Sequence, residues 1–126
     1  MSENIVLTTG IYDIIKDHLR RKKVTVEEEN RLLAELKGAT QVRRRDLPAE
    51  VVTVNRKVTV KDHTRDKEEE LIFVPVAEAR PRKNKYSILS DIALATVGYK
   101  EGDVIEWPFR DGERKIEIMK VENWQN

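Results

Sequence analysis

The hydrophobic pattern changes period part-way along the chain. Ile11, Ile14, Ile15 and Leu19 fall at i, i+3, i+4 and i+8, the spacing of one helical face. Thr8 and Thr9 stand ahead of them, and a threonine hydroxyl caps free helical amides. Arg20 to Lys23 close the segment with cations, which suit a helix C-terminus. Val24 and Thr25 then turn the chain. Thr25 and Glu28 form a T-x-x-E capping box, and Glu27, Glu28 and Glu29 place acid in the first turn of a second helix. Leu32, Leu33 and Leu36 supply its apolar face, and Gly38 marks its end. A short turn between two amphipathic helices predicts an antiparallel pair.

Beyond Arg43–Pro48 (RRRDLP) the period falls to two. Val52 and Val54, then Val58 and Val60, alternate with polar residues as half-buried strands do. A polar loop over 62–67 leads to a strand at Leu71–Val76, where Pro75 predicts an edge or a bulge. A basic loop over 81–85 follows. The stretch from Tyr86 onward predicts a short strand. A short helix lies within Ile88–Val97, capped by Ser87 or Ser90 and ended by Gly98. Two strands, 103–107 and 113–121, then meet through the hairpin dipeptide Asp111-Gly112. The order is helix pair, strands, one helix, strands. It predicts an α+β fold: a helix pair over residues 1–46, then an antiparallel sheet with one packed helix over 47–126.

Composition narrows the chemistry. The chain has 126 residues, 37% of them charged, yet a net charge of only +1. A balanced charge does not predict strong non-specific DNA binding, which needs excess Lys and Arg. The absence of cysteine excludes disulfides and thiolate zinc sites. No apolar run is long enough to span a membrane or to read as a leader, so a soluble cytoplasmic chain is expected. His18 and His63 lack metal-ligand spacing and read as surface histidines. Glu27, Glu28 and Glu29 are the sole acidic candidates at an exposed tip, and their ordinary role is favourable charge at a helix N-terminus. No cofactor, metal or catalytic set is expected. Two basic runs, Arg43–Arg45 and the Arg80, Arg82, Lys83, Lys85 loop, are either phosphate or acidic-surface contacts or solvated linkers. Trp107 and Trp124 are expected to cover the edge of a core.

Several segments resemble the GreA/GreB transcription elongation factors. Ser90-Asp91-Ile92-Ala93, Gly98-Tyr99-Lys100-Glu101-Gly102-Asp103-Val104 and Ile116–Glu122 are similar to that family's C-terminal domain. Asp91 stands where the family usually has proline. Leu7–Tyr12 resembles the start of its first coiled-coil helix. Leu47–Val58 and Val74-Pro75-Val76 resemble Rnk, its short-armed relative. The resemblance implies an FKBP-like C-terminal domain that docks on RNA polymerase at the rim of the secondary channel. Tyr86, Ser87, Ser90 and Asp91 would lie at that contact.

The family's long coiled coil carries tip carboxylates that help hold catalytic Mg²⁺ and promote cleavage of backtracked RNA. Here a first helix of about 12 residues would extend only ~18 Å. The resemblance therefore implies a monomeric regulator of transcription without that cleavage role for Glu27, Glu28 or Glu29. It would have no membrane partner and at most a weak or indirect nucleic-acid contact. Two rivals stand beside it. One is an FKBP-like peptidyl-prolyl isomerase, against which the 6% aromatic content weighs. The other is a binding module for another protein or nucleic acid that uses the 80–85 loop.

Overall fold

The computed structural model describes residues 4–124. A short strand β1 (Val6–Thr8) leads into α1 (Thr9–Arg20), where the Thr8 hydroxyl accepts from the Ile11 amide at 3.3 Å. The connection runs through Lys22, whose φ of 56° is left-handed, so it is longer than the two-residue turn expected. Thr25 then caps α2 (Val26–Gly38) with the reciprocal box, Glu28 amide to Thr25 Oγ1 at 3.1 Å and Thr25 amide to Glu28 Oε1 at 3.3 Å. Strand β2 (Thr40–Val42) follows and pairs in parallel with β1, a pairing that the hydrophobic pattern does not announce.

The remaining chain builds a five-stranded sheet from β3 (Arg56–Asp62), β4 (Lys67–Val74), β5 (Lys85–Ser87), β6 (Val104–Phe109) and β7 (Gly112–Asn123), in the order β5-β4-β3-β7-β6. Three pairings are antiparallel, but β4 and β5 run parallel, so the sheet is mixed rather than purely antiparallel. A bulge between Thr59 and Val60 shifts the β3–β7 register. The short helix α3 (Asp91–Thr96) precedes β6, with Ser90 at its N-cap position.

Two local expectations change. Val52 and Val54 do not enter the sheet. The Val52 amide bonds the Tyr99 carbonyl at 2.8 Å, and its own carbonyl takes the Gly98 amide at 2.9 Å. Those bonds tie the segment to the end of α3, and Asn55 at φ 62° then turns it into β3. Ile14 and Leu33, expected on apolar faces, are 41% and 49% exposed. The buried stripes are narrower than expected: Ile11, Ile15 and Leu19 on α1, and Leu32 and Leu36 beside Glu28 on α2.

Helices and sheet share one hydrophobic core. Ile11, Ile15 and Leu19 of α1 and Leu32 and Leu36 of α2 belong to the same buried cluster as Val58, Phe73, Trp107 and Ile118. Each such aliphatic side chain contributes about 1.5–3 kcal/mol. Helices of 12 and 13 residues are marginal alone in water, so this burial holds them.

Gly98 ties the N-terminal strand to this arrangement. Its φ is 87°, its carbonyl accepts the Val6 amide at 3.1 Å, and a Cβ there would meet Ile5 Cβ at 2.8 Å and Leu7 Cδ2 at 3.0 Å. Replacement by alanine adds left-handed strain to overpacking. Gly98→Ala is therefore expected to destabilise the fold by about 2–4 kcal/mol. Gly102→Ala, with open space around its Cβ position, is expected to cost only the left-handed strain. Urea unfolding of the two variants beside the parent checks the difference, and equal losses would remove the packing argument.

Candidate functional site

The residues expected to meet a partner lie together at one end of the sheet. Tyr86 and Ser87 end β5, Ser90 heads α3, and Asp91 begins it. The Ser87 hydroxyl accepts from the Leu89 amide at 3.0 Å and shapes the turn between them. Ser90 Oγ is buried and has no hydrogen-bond partner among the described residues. Asp91 is exposed.

Two depressions border this turn. A groove of about 620 Å³ lies between α1 and the turn, with Ile14, Val76 and Leu89 as apolar lining, Ser87 and Ser90 on one wall, and His18 on the other. His18 is held below the ordinary imidazole range by burial and by Lys23 and Arg21, against the opposing pull of Asp17 and Asp91. Ile14, the exposed apolar residue of α1, thus belongs to a surface shared with the turn. The second depression, about 320 Å³, opens between the sheet and α3 over Val60, Leu71 and Ile116, with Tyr86, Ser90 and Asp91 at its edge. Tyr86 is the one aromatic residue in its lining, so the aromatic box of a prolyl isomerase is not built there.

Asp62 anchors the far wall of that cleft. Its carboxylate accepts from the Thr64 and Arg65 amides at 3.0 and 3.1 Å, from Arg65 Nε at 2.9 Å and from Arg114 Nη1 at 3.2 Å. Burial pushes this carboxyl up, but the bonds from Arg65 and the charge of Arg114 outweigh it, and it ends below the usual range. The Arg114 guanidinium also lies 3.9 Å from the Phe109 ring centre. This network fixes the β3 and β7 ends and leaves Asp62 no free lone pair for a ligand.

The expected acidic tip is not a free tip. Glu27 is exposed and Glu29 pairs with Lys22 at 2.9 Å, but Glu28 is only 1% exposed. Its Oε1 closes the capping box, and its Oε2 faces Trp107 Nε1 at 3.5 Å. Glu28 lies at i−4 and i−8 from Leu32 and Leu36, so it shares the face of α2 that packs on the sheet. That spacing is the signal that identifies it. One turn on, Arg31 lies 5.1 Å from the Trp107 ring centre, donates to the Glu106 carbonyl at 2.6 Å and pairs with Glu35 at 3.0 Å. Glu35 in turn accepts the Tyr99 hydroxyl at 2.6 and 2.8 Å. Glu28, Arg31 and Glu35 therefore fasten α2 to β6 and to the loop after α3. Trp107, expected at a core edge, is fully buried beneath them.

The basic loop is a 3₁₀ turn over Pro81–Lys83 that carries Arg80, Arg82 and Lys83 on its exposed surface. Lys85 stands over the Trp124 ring at 4.8 Å. The Arg43–Arg45 run behaves as a structural link, with Arg43 paired to Asp46 and Arg44 donating to the Val54 carbonyl.

Comparison with known proteins decides the family. Residues 47–123 match the family model for the transcription elongation factor GreA/GreB C-terminal domain. The chain belongs to the GreA/GreB family. Transcription elongation factor GreA of Clostridium botulinum is 43% identical over 86 residues, which is 68% of this chain and 54% of that protein. GreA of Clostridium beijerinckii is 42% identical over the same length. The chain therefore spans about half the length of the curated relatives it matches.

A solved GreA/GreB elongation factor from Nitrosomonas europaea is similar over 96% of this chain and 99% of its own, at a TM-score of 0.68 and 26% identity. Gfh1 of Thermus aquaticus shares the fold at a TM-score of 0.52 and 19% identity, over 91% of this chain and 72% of its own. The family of this Gre-type chain is thus shown, while its named sequence relatives are GreA proteins rather than Rnk. Among the described residues, no helix is long and apolar enough to cross a membrane.

The Gre-type chain carries two measurable marks of the α2 attachment. Burial and then the bond to Glu35 push the Tyr99 phenol up to about 12. A raised value favours the neutral phenol, so its contribution is complete below the unfolded value near 10 and is lost as pH rises toward 12. Absorbance titration at 295 nm should show one of the three tyrosines ionising last. In Tyr99→Phe that late step should vanish. Separately, Glu28→Ala loses a cap and leaves the Trp107 indole N–H unpaired, an expected cost of about 2–3 kcal/mol. Glu27→Ala should stay within about 0.5 kcal/mol. Thermal unfolding of the pair checks this, and equal costs would mean Glu28 is not buried in solution.

Proposed function

We propose that this chain is a short-armed regulator of transcription that binds RNA polymerase at the rim of the secondary channel without stimulating transcript cleavage. The observation that carries the reading is the attachment of α2, with Glu28 buried against Trp107. Helices of 12 and 13 residues reach only ~20 Å, and here α2 is fastened to β6 through Glu28 and Arg31. A cleavage arm needs carboxylates free at its tip, and the central one of the three is committed to the fold.

The two-part reading, with residues 1–46 as helical element and 47–126 as docking domain, belongs to this proposal. It is supported by a family match that begins at residue 47. So is the short-armed, Rnk-like character, supported by a solved family member of comparable length. The docking surface is the turn bearing Tyr86, Ser87, Ser90 and Asp91, flanked by the α1 groove. A monomer working in the cytoplasm beside polymerase completes the reading.

Purified polymerase offered to the tagged chain tests it. Retention at micromolar concentration is expected, with about tenfold weaker retention of Asp91→Arg, a substitution at an exposed position. Stalled elongation complexes should show no cleavage with this chain alone and reduced cleavage when it competes with a GreA factor. Absent retention would sink the docking. Cleavage by the chain alone would overturn the argument from arm length and burial.

A further inference from the structure

Many cations on this surface have carboxylate partners. Arg20 and Arg21 pair with Asp17, Lys22 with Glu29, Arg43 with Asp46, Lys57 with Glu70, and Lys61 with Asp66. The 80–83 turn gathers three cations without such a partner at a single place on the chain. Arg80, Arg82 and Lys83 are exposed, and among the described residues no carboxylate pairs with any of them. The Arg80 guanidinium donates from Nη1 to the Ala79 carbonyl at 2.7 Å, a neutral acceptor that leaves its charge uncompensated.

The turn is also held in shape. Arg80 and Lys85 exchange backbone bonds at 2.8 and 3.1 Å, the Lys83 amide bonds the Arg80 carbonyl at 2.8 Å, and the Asn84 amide bonds the Pro81 carbonyl at 3.0 Å. Pro81 fixes one φ, and Asn84 closes the turn at φ 61°. Three like charges on one rigid turn repel one another, and among the described residues no carboxylate forms an ion pair with them. An anion with closely spaced charges would. Beside the turn, Trp124 is half-buried under Lys85, so an aromatic face adjoins the cations.

We infer that the Arg80–Lys83 turn is a contact for the phosphodiester backbone of a single-stranded nucleic acid. Three cations address about three phosphates, and the neighbouring indole offers a stacking face that any base accepts. Nothing in the turn selects a 2′-hydroxyl, so RNA and DNA strands are equivalent to it. The site is independent of polymerase docking, since it acts on the free chain.

The test is fluorescence anisotropy with labelled 20-nucleotide RNA and DNA strands and the full chain, from low to physiological salt. Expected is weak binding with a log–log salt slope of about −2, at roughly −0.7 per phosphate. The variant Arg80→Glu/Arg82→Glu/Lys83→Glu should lose about tenfold or more in affinity at low salt while its far-UV dichroism stays that of the parent. Arg20→Gln/Arg21→Gln, which removes paired cations, should bind as the parent does. Absence of binding at low salt, or equal binding by the triple variant, would overturn the inference. Equal binding of polyglutamate would also overturn it and assign the turn to an acidic protein surface.

Discussion

Trp107 lies where the two halves of the chain meet, and the placement of everything N-terminal depends on it. Its ring is fully buried, with Arg31 5.1 Å from its centre and Glu28 at its indole nitrogen. A tryptophan on an edge strand would ordinarily leave one face wet. Here α2 supplies that face, and the helix gains from the same contact a packing partner that its 13 residues need. The polar groups around the ring are satisfied as a set. Glu28 bonds backwards to Thr25, Arg31 bonds the Glu106 carbonyl, and Glu35 holds Tyr99. Glu28 is desolvated with its partners and Glu35 and Tyr99 are partly so, so removing one of these leaves another unpaired.

Gly98 performs the corresponding task on the other side. It accepts β1, donates to Val52 and ends α3 in a left-handed turn that brings Tyr99 toward Glu35. Through these bonds the short helix, the N-terminal strand and the helix pair are positioned by one short segment. The turn at Ser87–Asp91 inherits that rigidity, since α3 cannot shift without disturbing the Gly98 contacts. Its flanking groove has one wall from α1 and the other from the turn, so the helix pair forms part of the surface beside the turn.

Much of this was legible in the sequence because it is local. The capping box at Thr25 and Glu28, the hairpin at Asp111-Gly112 and the short helix before Gly98 each follow from chemistry within a few residues. What was not legible depends on distant partners. Val52 and Val54 alternate like a strand, but their hydrogen bonds go to the end of α3. The parallel pairings of β1 with β2 and of β4 with β5 join segments that no turn connects. Glu28 was the instructive case. Its cap was readable, yet its burial required noticing that it shares a face with Leu32 and Leu36. For the candidate site, the sequence placed Tyr86, Ser87, Ser90 and Asp91 near one another along the chain. It did not show that α1 would wall the groove beside them.

The physics of the helix pair separates two properties that a long arm would join. Docking needs a surface, and a surface requires only that α3 and β5 be held in place. Delivering a carboxylate to a remote catalytic centre needs reach, and reach requires helices that stand away from the domain. Two helices of this length cannot do both. If the helices projected, Leu32 and Leu36 would leave the core they share with Trp107, at about 1.5–3 kcal/mol for each side chain that became wet. They would also uncover Trp107. The same apolar stripes that make the helices fold therefore keep them down, and the acidic first turn of α2 is used to cap that helix and meet an indole. On the function proposed above, a chain of this form keeps a docking surface without the reach.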